Sequence, residues 1–161
     1  MSVFKTTFTR ALRAHPSDNA DIAYPNVIET GTSTTVTASK LIDSTALFIT
    51  NNVKTGDVVH NDTLGTAATV LTVDSETELT LNANIFTATA QVFTVYAMSS
   101  QTSMGNPGCF LYVGGTGNVS VITIGGDLIT FNGVPAGTTL PIQVLKLRST
   151  GTTATLVNAL W

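Results

Sequence analysis

The last third of the chain alternates short apolar runs with glycine-containing turns, and this rhythm restricts the fold more than any other feature of the sequence. From Cys109 onward the runs are CFLYV, NVSVITI, DLITF, TLPIQVLKL and TATLVNALW. The segments between them, GGTG, GG, NGVPAG and RSTGT, have the composition of turns. Because the runs are rich in Val, Ile, Thr and aromatic residues, they predict β-strands and an all-β module.

Three further segments precede or join this module. Residues 1–25 are predicted to form an extended N-terminal arm, because their two prolines break any regular element. Residues 26–97 contain short strand patterns at close spacing, which predict a small, acidic, Thr-rich β-barrel or sandwich. Residues 98–108 contain Gly-Asn-Pro-Gly and are interpreted as a linker. The C-terminal module, residues 109–161, is predicted to be a β-sandwich, jelly-roll-like or Greek key.

Strand patterns in the middle segment recur about every ten residues, with polar turns between them. The predicted strands are centred near Val36, Phe48, Val59, Val70, Leu79 and Val95.

Composition and charge exclude several classes of partner. Charged residues supply only 11% of the chain and Thr nearly a fifth, whereas soluble domains usually contain about 25% charged residues. The net charge of −3 argues against a nucleic-acid partner, which requires a basic patch. No apolar run reaches the about 20 residues of a membrane span, and the N-terminus lacks the apolar region of a signal peptide. We therefore expect no nucleic-acid partner, no membrane partner and no export by the ordinary signal route.

The residues able to carry chemistry form no recognisable motif. His60 lies in DVVHND, but Asp57 and Asp62 would point to opposite faces of a strand and no second His or Cys accompanies them, so we interpret it as a solvent-exposed strand end. The acidic run at residues 74–78 lacks the ligand spacing of a calcium loop. Cys109 opens an apolar strand and is interpreted as a buried structural thiol. The sequence predicts no catalytic residue, no cofactor and no metal site.

In two predicted C-terminal strands, apolar residues occupy both odd and even positions, which point to opposite faces of a strand. In TLPIQVLKL the apolar positions change from one parity to the other after the valine, and in ATLVNALW they occupy both faces. Either a β-bulge or an internal core accounts for this pattern, or the second face is an interface between subunits. Since the chain ends on its largest apolar side chain, the module's own core or a neighbouring subunit should hold it. The interface interpretation gives five candidates: Leu145, Leu147, Val157, Leu160 and Trp161.

Residues 109–161 resemble a module of tailed-phage virion proteins and of the head-spike base proteins of gene transfer agents. The resemblance rests on an LYVGG strand and turn, a GGDLITF hairpin, VPAGT followed by LPIQV, and a closing TGTTAT and ALW strand. The leader FKTTFTRALRAHPSDNADIAYP is similar to the leader that precedes such modules. The middle segment departs from the simplest pattern of the family and is similar to Thr-rich β-domains of phage structural proteins.

The resemblance implies a non-enzymatic virion structural protein, made in the host cytoplasm and located on the capsid surface. We expect a capsid decoration (cement) protein that binds the major capsid protein, stabilises the phage head and forms a homotrimer, or else a pentamer. The basic, Phe-bearing arm is the expected capsid contact, although it could instead fold back on its own domain. The capsid-contact candidates are Phe4, Lys5, Phe8, Arg10, Arg13 and His15.

A second class of function stays open at this point. The chain could be a head-vertex spike base, a head–tail or fibre attachment protein with a fibre or spike protein as partner, or a receptor- or carbohydrate-binding module. Sugar binding favours exposed aromatic platforms, but the only Trp is terminal and the three Tyr residues are scattered. The sequence therefore favours the structural role.

Overall fold

The computed structural model describes residues 7–98 and 108–161, and this part of the chain is all-β, as predicted. Its strands form two antiparallel six-stranded sheets that do not close into a barrel, an arrangement broadly like a β-sandwich. Nothing in these two ranges forms a helix that could span a membrane. In chain order the strands are β1 (Ala11–Arg13), β2 (Val27–Thr32), β3 (Lys40–Ile42), β4 (Val58–Asn61), β5 (Thr66–Val73), β6 (Glu78–Leu81), β7 (Val92–Tyr96), β8 (Cys109–Gly115), β9 (Gly117–Thr123), β10 (Leu128–Val134), β11 (Thr138–Leu147) and β12 (Thr155–Leu160).

The first sheet, called the middle sheet below, has the strand order β2-β7-β4-β5-β6-β3. One of its faces carries a core that contains three phenylalanine rings. Phe93 on β7 lies at the centre, with its ring centroid 6.0 Å from that of Phe48 and 6.4 Å from that of Phe86. All three are the largest fully buried side chains among the described residues.

Four of the six strands predicted for the middle segment are present, as β4, β5, β6 and β7. The predictions near Val36 and Phe48 are wrong, and β2 and β3 were not predicted. Phe48 lies in a turn, where the Val53 amide donates a hydrogen bond to the Phe48 carbonyl. Phe48 is buried while Leu47 and Ile49 are exposed. This alternation imitates a strand, but the segment has no partner strand within the described residues.

The second sheet, called the C-terminal sheet, has the order β1-β12-β8-β11-β9-β10. Strand β8 shows the period of two that its sequence predicts, with Cys109, Leu111 and Val113 buried in the core. The predicted linker, residues 98–108, lies outside the described residues except at its two ends.

The parity change in β11 is caused by irregular pairing. The register shifts between Leu140 and Val144 in the pairing with β8, and between Val144 and Lys146 in the pairing with β9. As a result Leu140, Val144 and Leu147 all reach the same core, together with Val157 of β12. The structure thus assigns Leu147 and Val157 to the interior of their own chain, which corrects their choice as interface candidates, because a fully buried side chain cannot contact a partner.

The N-terminal arm supplies the edge strand β1 of the C-terminal sheet. Strand β1 pairs with β12, and beyond it the amides of Thr9 and Arg10 donate to the carbonyl of Trp161, at 2.6 and 3.2 Å. The Trp161 amide donates in return to the Arg10 carbonyl at 2.9 Å, and the indole packs edge-on against Tyr24 with centroids 5.4 Å apart. Of the two alternatives for the arm, its described residues therefore show the fold-back, and the arm holds the terminal Trp.

The arm continues as a hydrogen-bonded layer that touches both sheets. Ser17 donates its amide to the Leu147 carbonyl of β11 at 2.8 Å and its hydroxyl to the Ala67 carbonyl of β5 at 2.7 Å. A small apolar cluster joins arm residues Ala20 and Ala23 to the outer face of the middle sheet. The arm therefore contacts both sheets, and its side chains lie at the junction between them.

Asp18 fastens this layer to the turn between β11 and β12. Its carboxylate accepts hydrogen bonds from the hydroxyls of Thr150 at 2.6 Å and Ser149 at 2.7 Å, and lies 3.2 Å from Arg148 Nε. The hydrogen bonds from Thr150 and Ser149, with a smaller contribution from the Arg148 charge, lower the pKa of Asp18 to about 2.

Asp18→Asn is expected to reduce the free energy of unfolding at neutral pH by about 1 kcal/mol, because the carboxylate is partly exposed and screened by solvent. The folded pKa of about 2 lies below the ordinary value of 3.8, so this contribution is present above that value and is lost as the pH falls toward 2. Urea denaturation at a series of pH values measures the effect. The difference between the two proteins should shrink on acidification, and a constant difference would contradict this account.

Candidate functional site

His15, His60 and Asp62 converge at the junction between the arm and the middle sheet. His60 lies on the central strand β4, Asp62 follows that strand, and His15 comes from the arm just after β1. His15 Nε2 lies 3.4 Å from Asp62 Oδ1, and the centroids of the two imidazole rings are 4.4 Å apart. Two imidazoles and a carboxylate, supplied by two separate segments of the chain, thus lie close together.

His60 is buried, with 2% of its surface exposed, so its interpretation as a solvent-exposed strand end is wrong. Strand β4 lies between β5 and β7, and the arm covers the face that carries Val58 and His60. The His60 ring packs between His15 and Tyr96, whose centroid is 4.7 Å away. Burial, reinforced by the nearby His15, lowers the pKa of His60 to about 3, so the ring is neutral at physiological pH.

Asp62 is held in place by Thr94 of β7. The Thr94 hydroxyl donates to Asp62 Oδ2 at 2.7 Å, while Oδ1 faces His15. Burial acts to raise the pKa of Asp62, but hydrogen bonds from His15 and Thr94 outweigh it, and the pKa lies below its usual value. The carboxylate is therefore ionised beside two imidazoles.

A surface cavity of about 520 Å³ opens beside this cluster. Its walls come from both sheets: the arm and the turn after β4 on one side, and the start of β12 on the other. Leu156 of β12 has a positive φ of 54° and an exposed side chain on this wall. Because His15 and Asp62 both line the cavity, solutes can reach the cluster. The lining residues are Arg13, Ala14, His15, Pro16, Asp62, Thr63, Leu64, Gly65, Ala154, Thr155, Leu156 and Val157.

The described capsid-contact candidates have different surroundings within the chain. Phe4 and Lys5 lie outside the described residues. Phe8 packs on Phe110, with ring centroids 5.5 Å apart. Arg10 stacks over the Tyr24 ring at 5.0 Å and donates to the Pro25 carbonyl.

The other two described candidates border the cavity, since Arg13 and His15 both line it. Four of the candidates thus make contacts within the chain or border the cavity, and a role in capsid binding stays a prediction.

Among the described residues of the C-terminal sheet, the most exposed large apolar side chain is Leu128 on β10, away from the predicted interface residues. Leu128 is 61% exposed and Ile129 42%, and Ile124 in the preceding turn is also exposed. By comparison, Leu160 and Trp161 are half-buried against β1 and the core, and Leu145 is half-buried beside the arm. The sequence signal for β10 was the adjacent Leu and Ile in DLITF, which must point to opposite faces of one strand.

Cys109 is a buried structural thiol, as predicted. Its sulfur lies 3.7 Å from the Val144 carbonyl, and burial raises the pKa of the thiol to about 12. At neutral pH it is protonated and unsuited to act as a nucleophile.

Comparisons with models of protein families, with curated proteins and with solved structures find no match for this chain. Function is therefore inferred below from the two features that the fold places on the surface: the apolar strand β10 and the histidine cluster at the sheet junction.

Proposed function

We propose that this chain is a non-enzymatic structural protein of a phage virion, a capsid decoration protein that binds the major capsid protein as a homo-oligomer and stabilises the head. The observation that carries the proposal is the apolar edge strand β10. The resemblance of residues 109–161 to virion modules supplies the biological setting, and the structure supplies a surface suited to association.

Strand β10 has the properties of a strand that pairs with another subunit. It pairs with β9 on one side only, and its other edge has no partner strand within the described residues. Leu128 and Ile129 are exposed on its two opposite faces. An unpaired edge with apolar side chains can add a strand from another subunit through main-chain hydrogen bonds, and natural monomers usually protect such edges with charge.

A shallow apolar groove extends this surface. It has a volume of about 400 Å³ and lies beside the turn that carries Ile124, with Phe110 and Ile142 in its walls. Among the described residues that line the groove, only Asp127 carries a charge. Because few charges have to be desolvated, burial of this surface in an interface is favourable.

A protein of this kind acts by mass action and not by turnover. A ligand that binds the assembled shell and not the free subunits stabilises the shell by about 4 kcal/mol per site at a thousandfold excess over Kd. Repeated over many sites, this free energy opposes the internal pressure of the packaged DNA.

Heads that lack this protein are expected to release their DNA at a lower temperature, and addition of the purified wild-type protein should restore the higher temperature. Leu128→Asp places a charge on the exposed apolar face of β10 and should weaken head binding and self-association at least about tenfold, since burial of an unpaired charge costs more than 1.4 kcal/mol. Leu71→Asp is the matched control, because Leu71 is a similarly exposed leucine on β5 of the middle sheet.

Co-sedimentation with heads, sedimentation equilibrium and DNA release on heating are the measurements. Equal binding and protection by Leu128→Asp and Leu71→Asp would show that β10 is not the association surface. Depleted heads that are as robust as complete ones but fail to attach to cells would overturn the decoration role in favour of receptor recognition.

A further inference from the structure

Both histidines of the chain lie in a single cluster, although 44 residues separate them in the sequence. Each of His15, His60 and Asp62 offers one nitrogen or oxygen atom to this cluster, and the three atoms lie within 4.8 Å of one another. Their backbone positions are fixed by different elements: the arm for His15, and the central strand β4 with the turn after it for the other two. The fold therefore assembles a donor set that no local sequence motif contains.

We propose that His15, His60 and Asp62 form a binding site for a divalent transition-metal ion, for which Zn²⁺ fits best. Two imidazole nitrogens and one carboxylate oxygen are ligands that zinc accepts in a four-coordinate site, with the fourth position left to water. The cavity that His15 and Asp62 line gives water and the ion a path to this position. Magnesium and calcium fit poorly, because they prefer sites made of oxygen ligands.

The surroundings of the His60 ring are compatible with this assignment. Within the two described ranges, no protein group forms a hydrogen bond with this ring, although the residue is 2% exposed. Its ring nitrogens therefore hold no hydrogen bond to a described residue that an incoming ion would have to replace.

Two of the three side chains, Asp62 and His60, are held by neighbours outside the cluster. Thr94 donates to Asp62 Oδ2 and so leaves Oδ1 to face His15. Tyr96 packs against the other side of the His60 ring. Fixed carboxylate and ring orientations of this kind raise metal affinity because less side-chain freedom is lost on binding.

The distances require only a small adjustment. Ligand atoms around a tetrahedral zinc ion lie about 3.3 Å apart, given bonds of about 2.0 Å. The His15 and Asp62 atoms already lie 3.4 Å apart. The widest separation in the cluster is at most 4.8 Å, so binding needs a closure of about 1.5 Å at most, which rotation of the partly exposed His15 side chain can supply.

A bound ion would join the arm to the middle sheet and so reinforce the fold-back of the arm. The site is therefore proposed as a structural clamp, and it is independent of the proposed role on the capsid. Because the ion binds the folded chain and not the unfolded one, it should raise the unfolding temperature in proportion to the logarithm of its concentration.

Calorimetric titration of tag-free, chelator-treated protein with ZnCl₂ is expected to show one ion per chain, and CoCl₂ should give the visible absorption of a four- or five-coordinate cobalt site. His15→Ala and Asp62→Asn should each weaken Zn²⁺ binding at least about tenfold. Asp21→Asn makes the same change of charge at a carboxylate of the arm outside the cluster, and should bind as the wild type does.

A second measurement uses only the wild-type protein and does not depend on how the variants fold. With two histidines in the chain, nitrogen-15 correlation spectra of the imidazoles contain two sets of signals, and both should shift when one equivalent of Zn²⁺ is added. The proposal is overturned if either set stays unchanged, if no binding occurs below about 1 mM Zn²⁺, or if folded His15→Ala binds as tightly as Asp21→Asn.

Discussion

Replacement of Phe93 by alanine is expected to lower the free energy of unfolding by about 3–5 kcal/mol. Phe93 is fully buried on β7, and its ring contacts those of Phe48 and Phe86, so its removal leaves a cavity at the centre of the middle sheet. Domains are typically stable by only about 5–15 kcal/mol. This substitution should therefore remove a large share of the stability of the middle sheet.

Urea denaturation followed by far-ultraviolet circular dichroism measures this loss for the whole chain. The fluorescence of Trp161, which packs in the C-terminal sheet, reports on that sheet separately. Val92→Ala is the control, because Val92 precedes Phe93 on the same strand but is exposed, and it should cost about 1 kcal/mol or less. If Phe93→Ala costs no more than this control, the phenylalanine cluster does not hold the middle sheet together.

Deletion of residues 1–14 is expected to destabilise the C-terminal sheet by about 3 kcal/mol or more, since it removes several main-chain hydrogen bonds and apolar contacts together. The deletion eliminates β1, the contact of Phe8 with Phe110, and the hydrogen bonds that hold the backbone of Trp161. The indole should become more exposed to water. A red shift of the Trp161 emission, together with a lower unfolding midpoint, is the expected result.

Deletion of residues 1–6 is the matched control, because it leaves β1 and every contact named above in place. Equal unfolding midpoints for the two deletions would show that the arm does not hold the C-terminal sheet. The shorter deletion also removes Phe4 and Lys5 without β1, so comparison of its head binding with that of the wild type tests these two capsid-contact candidates separately from the stability of the fold.

The sequence was a good guide to most of the strands in which core and solvent-facing side chains alternate over several residues. Strand β8 alternates between buried and exposed side chains, and the predicted position of Cys109 in the core followed from that alternation. The same reasoning failed at Phe48. This buried residue lies between two exposed neighbours, which is the alternation expected of a strand, but the segment forms a turn. Alternation indicates which side chains are buried. It does not show whether the backbone pairs with a neighbouring strand, which a β-strand also requires.

The candidate site could not be predicted from the sequence, because His15 comes close to the other two residues only when the arm packs on the middle sheet. His60 was expected at a solvent-exposed strand end, since no second histidine lies near it in sequence. The missing partner, His15, belongs to a segment that was assigned to capsid contact or to a fold-back, with no indication of which face it would cover. Likewise, the choice of Leu147 and Val157 as interface residues rested on parity, which the register shifts in β11 alter.

By itself, the sequence determined the all-β class, the positions of most strands and the burial of Cys109, because these depend on side-chain periodicity and turn residues that act over a few neighbouring positions. Only the tertiary structure decided that β1 belongs to the C-terminal sheet, that β10 is the exposed apolar edge, and that His15 covers His60. These features depend on pairing between segments far apart in the chain. Such pairing is selected by the free energy of the whole packed structure, which no local pattern contains.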